Sequence, residues 1–407
     1  MIPGGIPVGR IFISVLIAGL GIGFLVWFVS SPPPPPATLE AGLACVDRSD
    51  AAGIERIEQA LRKQGHEDEA IILQCAWLAQ RDRYEEVLKL LPERLADSPL
   101  RRQYLRLMGE SLYRIGNTEH AEIVLSKSVA EFPDEVESWR HLALLYYNVA
   151  RDDQAMASQL QIQKLAPDDF RPHQLAALIL VEKEDFAGAA RELQAALEKG
   201  PPAQIRTDLR AGLARCLMRQ SKYADAVTLL DQESNSPEAS ALQANCYWAL
   251  GDKLRAGLLA RDVLSLEPAN LPALRVKAQQ LRDQDKRADA AEILKRIISA
   301  EPFDMESRTF RVQLLDQLGL AEERDQEQAE QARYQGLIEK ATEYRKIALA
   351  EPDAPAPRWE LVQTYRAMGR VQLAERWQRG ARYCEARLKR HGGQGPLIKA
   401  VEPSTGP

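Results

Sequence analysis

Prolines recur at 99, 133, 167 and 201, and again at 268 and 302, and the interval within each run is 34 residues. A proline inside a helix removes a hydrogen bond and collides with the preceding turn, at about 3 kcal/mol. The segments between these prolines are rich in helix formers, so the prolines mark the ends of helices. KLAPDDFRPH at 164–173 returns in outline as SLEPANLPAL at 265–274, with a second proline opening the next helix. A fixed period of this size means one small supersecondary unit repeated, and such a unit buries its apolar face only against its neighbours.

Composition excludes several other outcomes. With 407 residues, 45% hydrophobic content and 27% charge, the chain is too apolar to stay disordered. Its net charge of −5 comes from acidic and basic residues interspersed along the chain, which leaves no basic stripe for a phosphate backbone. Nucleic acid is not an expected partner. The five cysteines, Cys45, Cys75, Cys216, Cys246 and Cys384, never approach within four positions of each other, so no CxxC pair exists.

Setting the recurring proline as position 32 gives units that start at Asp68, Arg102, Val136, Phe170, Pro237 and Leu271, with a looser one near Thr207. Position 20, where the two helices of a hairpin touch, is then Ala121, Ala155, Ala189, Ala226, Ala256 and Ala290. Position 8 is Gly109, Ala143, Ala177, Ala214, Ala244 and Ala278, and glycines 116, 251, 319 and 369 fall where a first helix ends. The third unit adds Trp139, Leu142 and Tyr146. With these residues in register the chain resembles the tetratricopeptide-repeat proteins. That resemblance implies an all-α fold, a right-handed superhelical solenoid of helix hairpins with a concave and a convex side.

The expected domains follow. Residues 39–67 form a degenerate leading hairpin, 68–304 about seven repeats, 305–354 a divergent repeat with a long helix, 355–390 a terminal repeat, and 391–407 a disordered tail. The long helix is almost wholly polar in its first half, which either projects into solvent or binds something. Departures from the repeat pattern are Val87 and Arg324 at position 20 and Gln159 at a position usually large and apolar.

In proteins resembling this one, positions 2, 5, 9, 12 and 13 of each first helix line the groove that holds partner segments. Carried onto this chain, the resemblance implies a partner-binding face of Arg106, Glu110, Tyr113, Arg140, Leu144, Tyr147, Gln174, Leu178, Met218, Trp248 and Arg275. Arginines beside tyrosines suit a segment that carries carboxylates and an apolar residue. The competing reading is structural: such a tyrosine leans on the next helix, and such an arginine satisfies Glu110 or Glu137. The family's clamp for C-terminal carboxylates uses asparagine at position 9, where Leu144 and Leu178 stand.

The N-terminal region reads differently. Residues 11–29, IFISVLIAGLGIGFLVWFV, carry no charge, and nineteen residues at about 1.5 Å each span the roughly 30 Å hydrocarbon core. The run exceeds the h-region of a cleaved signal peptide. Arg10 flanks one side while Glu40, Asp47, Arg48 and Asp50 follow the other, so residues 1–10 are expected in the cytoplasm. The chain is then expected in a bacterial inner membrane as a single-pass protein, its repeats on the periplasmic side. Gly19 and Gly23 form a GxxxG suited to a homodimer. The proline run within 30–38 makes a stiff spacer.

No catalytic residue, cofactor or metal is assigned. HExxH, GxxxxGK[ST] and GxSxG are absent from the sequence. His141 and His173 lack a third ligand, and Cys216 and Cys246 lie on adjacent helices too far apart for a disulfide. The functional expectation is a membrane-anchored scaffold that recruits protein partners at the cell envelope through its concave face. A cytoplasm-facing adaptor of the same fold is the alternative, and an enzyme whose chemistry the sequence does not display is the third.

Overall fold

The structure, a computed structural model, describes residues 37–231 and 236–391. Among these residues it is all-α, with twenty α-helices, one 3-10 helix and no strand. The expected anchor at 11–29, Gly19 and Gly23, most of the spacer and the tail from 392 lie outside the described residues. No helix among the described residues is long and apolar enough to cross a membrane.

The chain divides into two compact units, at Tyr104 and Leu105. The first contains α1 (Leu39–Asp47), α2 (Ala51–Lys63), α3 (Glu67–Gln80), α4 (Tyr84–Leu90) and the 3-10 helix Glu93–Asp97. In this unit position 20 is Val87, fully buried, and the second helix of the hairpin, α4, is cut to seven residues.

α5 (Arg101–Arg114) leads into the second unit, whose hairpins pair a first with a second helix. These are α6 (Thr118–Glu131) after α5, then α7 (Val136–Asn148) with α8 (Asp152–Leu165), and α9 (Arg171–Glu182) with α10 (Phe186–Glu198). α11 (Ala203–Arg219) pairs with α12 (Tyr223–Leu230), α13 (Pro237–Ala249) with α14 (Lys253–Leu266), and α15 (Leu271–Asp283) with α16 (Arg287–Ala300). α17 (Met305–Gln317) is followed by the 30-residue α18 (Ala321–Ala350), and α19 (Ala356–Ala367) by α20 (Val371–His391). The looser unit read as starting near Thr207 has its first helix beginning at Ala203.

Four of the six spaced prolines stand directly after a helix cap as their spacing implies, while Pro99 follows the 3-10 helix and Pro201 the left-handed Gly200. α6, α8, α14 and α16 each end one residue before the position preceding a proline, at cap residues Phe132, Ala166, Glu267 and Glu301. Each cap N–H still donates to the carbonyl four residues back at 2.8 Å, and proline then removes the next donor. α18 ends the same way at Glu351, before Pro352.

The turn inside each hairpin is also uniform. One residue adopts a left-handed backbone, and the N–H after it reaches the carbonyl five residues before, as Asn117 to Leu112 at 2.9 Å and Arg151 to Tyr146 at 2.8 Å. Gly116 fills that position at no cost, but Ala150, Glu184, Ser221 and Asp285 are held there too, at φ 55° to 62°. Ser221 is exposed, so Ser221→Gly is expected to stabilise the second unit by about 0.5–1 kcal/mol, net of glycine's greater unfolded-state entropy. Denaturant melts of the two chains measure it.

Small residues hold the hairpins together. The position-20 alanines Ala121, Ala155, Ala189, Ala226, Ala256 and Ala290 are each 0% exposed. Around them Leu142, Ala143 and Tyr146 are buried, and Trp139 donates its indole N–H to the Pro133 carbonyl at 2.9 Å. A Cβ on Gly109 would meet Leu125 at 2.6 Å, so the helix pair approaches as closely as glycine permits.

The polar half of α18 corrects one sequence reading. Most of it is exposed, but Glu327 is buried between Arg308 and Arg311 of α17, with an ion pair to each, which ties this half to the preceding helix. Arg324, at position 20 of this divergent repeat, instead turns outward to Asp316 and Asp325.

Candidate functional site

The second unit closes on itself. α20 lies back across the turn between α7 and α8, some 230 residues earlier in sequence, and Arg376 anchors it there. Its guanidinium stacks 4.1 Å from the Tyr147 ring centroid, donates Nε–H to the Tyr147 carbonyl at 2.7 Å, and pairs with both Asp152 and Glu182. Arg387 reaches Glu122 at 3.3 Å and Arg390 reaches Glu119 at 2.6 Å. From the opposite side Arg151 pairs with Asp353, and its guanidinium lies 5.0 Å from the Tyr383 ring. Gly380 makes this approach possible, since a Cβ there would stand 2.5 Å from the Val149 carbonyl oxygen.

Between the first helices and α18–α20 lies a cavity of about 1720 Å³. One wall comes from α7, α9, α11, α13, α15 and the start of α17; the other carries Ile338 and Arg345 of α18, Tyr365 of α19 and Arg376 of α20. Of the residues assigned to the partner-binding face, Arg140, Leu144, Gln174, Leu178, Met218, Trp248 and Arg275 line this cavity. Arg106, Glu110, Tyr113 and Tyr147 are not on its wall.

The two tyrosines are engaged within the fold. Tyr147 donates its hydroxyl to Glu182 at 2.8 Å, and Tyr113 accepts from the Asn148 amide at 2.6 Å, each reaching the next first helix. Burial pushes both phenols up, Tyr147 further because Glu182 adds its charge. Glu110 faces His141 at 3.6 Å. Burial would raise this carboxyl, but the His141 contact and the charges of Arg106 and Arg114 outweigh it and hold it below the usual range.

The arginines on the wall are likewise paired. Arg140 binds Asp169 at 2.8 Å as well as Glu137, and Arg275 binds Asp304 at 2.7 Å and Glu301 at 2.8 Å. Each joins position 5 of one first helix to the aspartate opening the next, so one linkage recurs four units apart. Burial alone would raise Asp169 and Asp304; hydrogen bonds from Arg171 and Ser307 and the arginine charges lower both. An incoming carboxylate would have to displace these partners. Leu144 at 42% and Leu178 at 44% exposure stand open on the wall, on successive first helices at position 9, beside the exposed polar side chains of Gln174 and Asp208.

Other candidate chemistry resolves into packing. His173 pairs with Glu192 at 2.8 Å. All five cysteines are buried free thiols; burial pushes Cys246 up to about 11 and Cys75 up to about 12, which makes them poor nucleophiles.

The residues that sequence reading missed are those of the opposite wall, Arg345, Tyr365, Arg370 and Arg376. The signal was faint. α20 shows arginines at 376, 379, 387 and 390 along one amphipathic helix, but Asp152, Glu182, Glu122, Glu119 and the Asn148 carbonyl that they meet lie more than 190 residues earlier in sequence.

Residues 180–246, inside this stack, match the tetratricopeptide repeat family. That segment carries tetratricopeptide repeats. The rhomboid protease GluP of Bacillus subtilis (strain 168) is 26% identical over 137 residues, 34% of this chain and 21% of that protein. The chain thus spans about a fifth of that curated relative's length. Among solved structures, Pseudomonas aeruginosa pilF is similar with 17% identity over 52% of this chain and 97% of that one, at a TM-score of 0.41. A tetratricopeptide repeat protein from Parabacteroides merdae ATCC 43184 shows 14% identity over 61% and 98%, at a TM-score of 0.40.

Proposed function

We propose that the chain is a protein-interaction scaffold whose second unit holds a mainly apolar segment of a partner polypeptide in the cavity between its first helices and α18–α20. The observation that carries this is the row of exposed Leu144, Leu178 and Val181 facing a cavity of about 1720 Å³. That volume exceeds the roughly 300–1,000 Å³ of small-molecule sites. Tetratricopeptide repeats are built to present such a surface along successive first helices. Because Arg140 and Arg275 already hold carboxylates of their own chain, the segment is read by its aliphatic side chains more than by its charge.

The uncharged run at 11–29 supports placing this scaffold at a bacterial inner membrane with the repeats beyond it, where it would gather partners of an envelope assembly. Protease added to intact spheroplasts should digest the repeats; protection would mean that they face the cytoplasm.

A photo-crosslinking amino acid at Leu178 of the full chain, in cells, should trap a discrete partner that the same residue at Leu254, 74% exposed on α14, does not. Equal trapping at both positions, or none at Leu178, would remove the cavity reading.

A further inference from the structure

We propose that the α19–α20 hairpin is a clasp, which detaches as a unit from α6–α9 while the repeats stay folded, and whose release admits a partner to the cavity. The admission of a partner rests on the function proposed above; the detachment does not.

Two kinds of contact hold the second unit together. Hairpin packs on hairpin through alanines at 0% exposure and leucines beside them, which water cannot replace. The seam of the clasp is instead rich in arginines facing carboxylates: Arg376 on Asp152 and Glu182, Arg151 on Asp353, Arg387 on Glu122, and Arg390 on Glu119. Those groups regain hydration when the seam parts, which lowers the cost of opening there against the apolar contacts that Ala150, Tyr383 and Cys384 make across it. The hinge is in place as well. α18 ends at Ala350 and α19 begins at Ala356, with Pro352 and Pro355 between, so no helix has to break. A terminal unit of a repeat stack depends only on what it touches, and opens independently at the lowest free energy.

The seam is also a wall of the cavity. Asp152, Glu182 and Arg376 make the lock and line the cavity together, so parting them widens its entrance. Tyr383 and Cys384, at 3% and 0% exposure, pack into the core formed by α6–α9 and favour the shut state until something competes.

Site-resolved thiol labelling of the full chain tests this. Leu178→Cys reports the cavity, native Cys384 reports the seam, and native Cys246 reports the repeat core. In the otherwise unaltered chain, N-ethylmaleimide should reach residue 178 readily and a bulky polyethylene-glycol maleimide should reach it slowly. Arg376→Glu should speed the bulky reagent at 178 and N-ethylmaleimide at Cys384 by at least about tenfold each, with Cys246 still protected, since a third carboxylate set against the buried Asp152 and the half-buried Glu182 shifts the opening equilibrium by more than one decade. Gly380→Leu, which obstructs the seam without changing charge, should give the same pattern, and Arg376→Lys a weaker one. Equal bulky labelling at 178 with and without these changes would overturn the clasp, and so would exposure of Cys246 together with Cys384. Labelling needs no partner, so a clasp that behaves as described in a chain that traps nothing at Leu178 would sink the partner reading alone.

Discussion

Glu327→Gln is expected to destabilise the second unit by about 3–5 kcal/mol, the cost of leaving buried charge without its counter-ion. Glu327 is 8% exposed, and it is shared by Arg308 at 5% and Arg311 at 8%. Arg308 has further partners, the Pro302 carbonyl at 2.8 Å and the Tyr334 ring at 4.6 Å, and Arg311 has Glu323 at 3.2 Å. None of these replaces a carboxylate buried between the two guanidiniums. Because the triad joins α17 to α18, the loss should concentrate in these two helices and be read as lost amide protection there, ahead of α13 and α14. Replacing all three residues with apolar side chains of similar volume should restore most of that protection. If Glu327→Gln changes stability by less than about 1 kcal/mol, the triad is solvated and its burial is wrong.

The second large effect lies where α5 and α6 meet. Leu125 is 0% exposed and occupies the space left by the missing side chain of Gly109. Leu125→Ala should cost about 2–5 kcal/mol, as other large-to-small core changes do. Gly109→Ala alone should also destabilise, since its Cβ would stand 2.6 Å from Leu125 Cδ2 and 2.7 Å from Cγ. In the Leu125→Ala chain the same glycine change should turn stabilising, because the obstruction is gone and alanine's helix propensity, worth about 1 kcal/mol, is gained. A double-mutant cycle measures this reversal of sign. Purely additive effects would mean that the two residues do not touch.

The repeat architecture was legible because it depends on local rules. Proline at 133, 167, 268 and 302 cannot continue a helix, and alanine at 155 or 256 leaves room for a neighbour, whatever lies elsewhere in the chain. The hairpin turns were half legible. Gly116 and Gly251 announce a left-handed residue, while Ala150 and Ser221 adopt the same backbone with no signature, because the stacking around them imposes it. Register likewise placed Arg140, Leu144, Leu178 and Arg275 on one surface. It did not show that Arg140 and Arg275 spend their charge on Asp169 and Asp304, nor that Tyr147 lies beneath Arg376. Those contacts depend on where α20 comes to rest. Periodicity describes how each hairpin meets the next and carries no term for the last hairpin meeting the third.

Closure of the second unit is most directly tested by a distance between α8 and α20. Spin labels on cysteines placed at the exposed Asp153 and Arg382 of the full chain would report it, the native thiols being buried. The closed arrangement predicts a dominant separation within about 25 Å, two helix diameters. An array left open, with its intervening hairpins stacked at roughly 8–10 Å per packed helix, would instead give a distribution centred several tens of ångströms away, and that result would contradict the account.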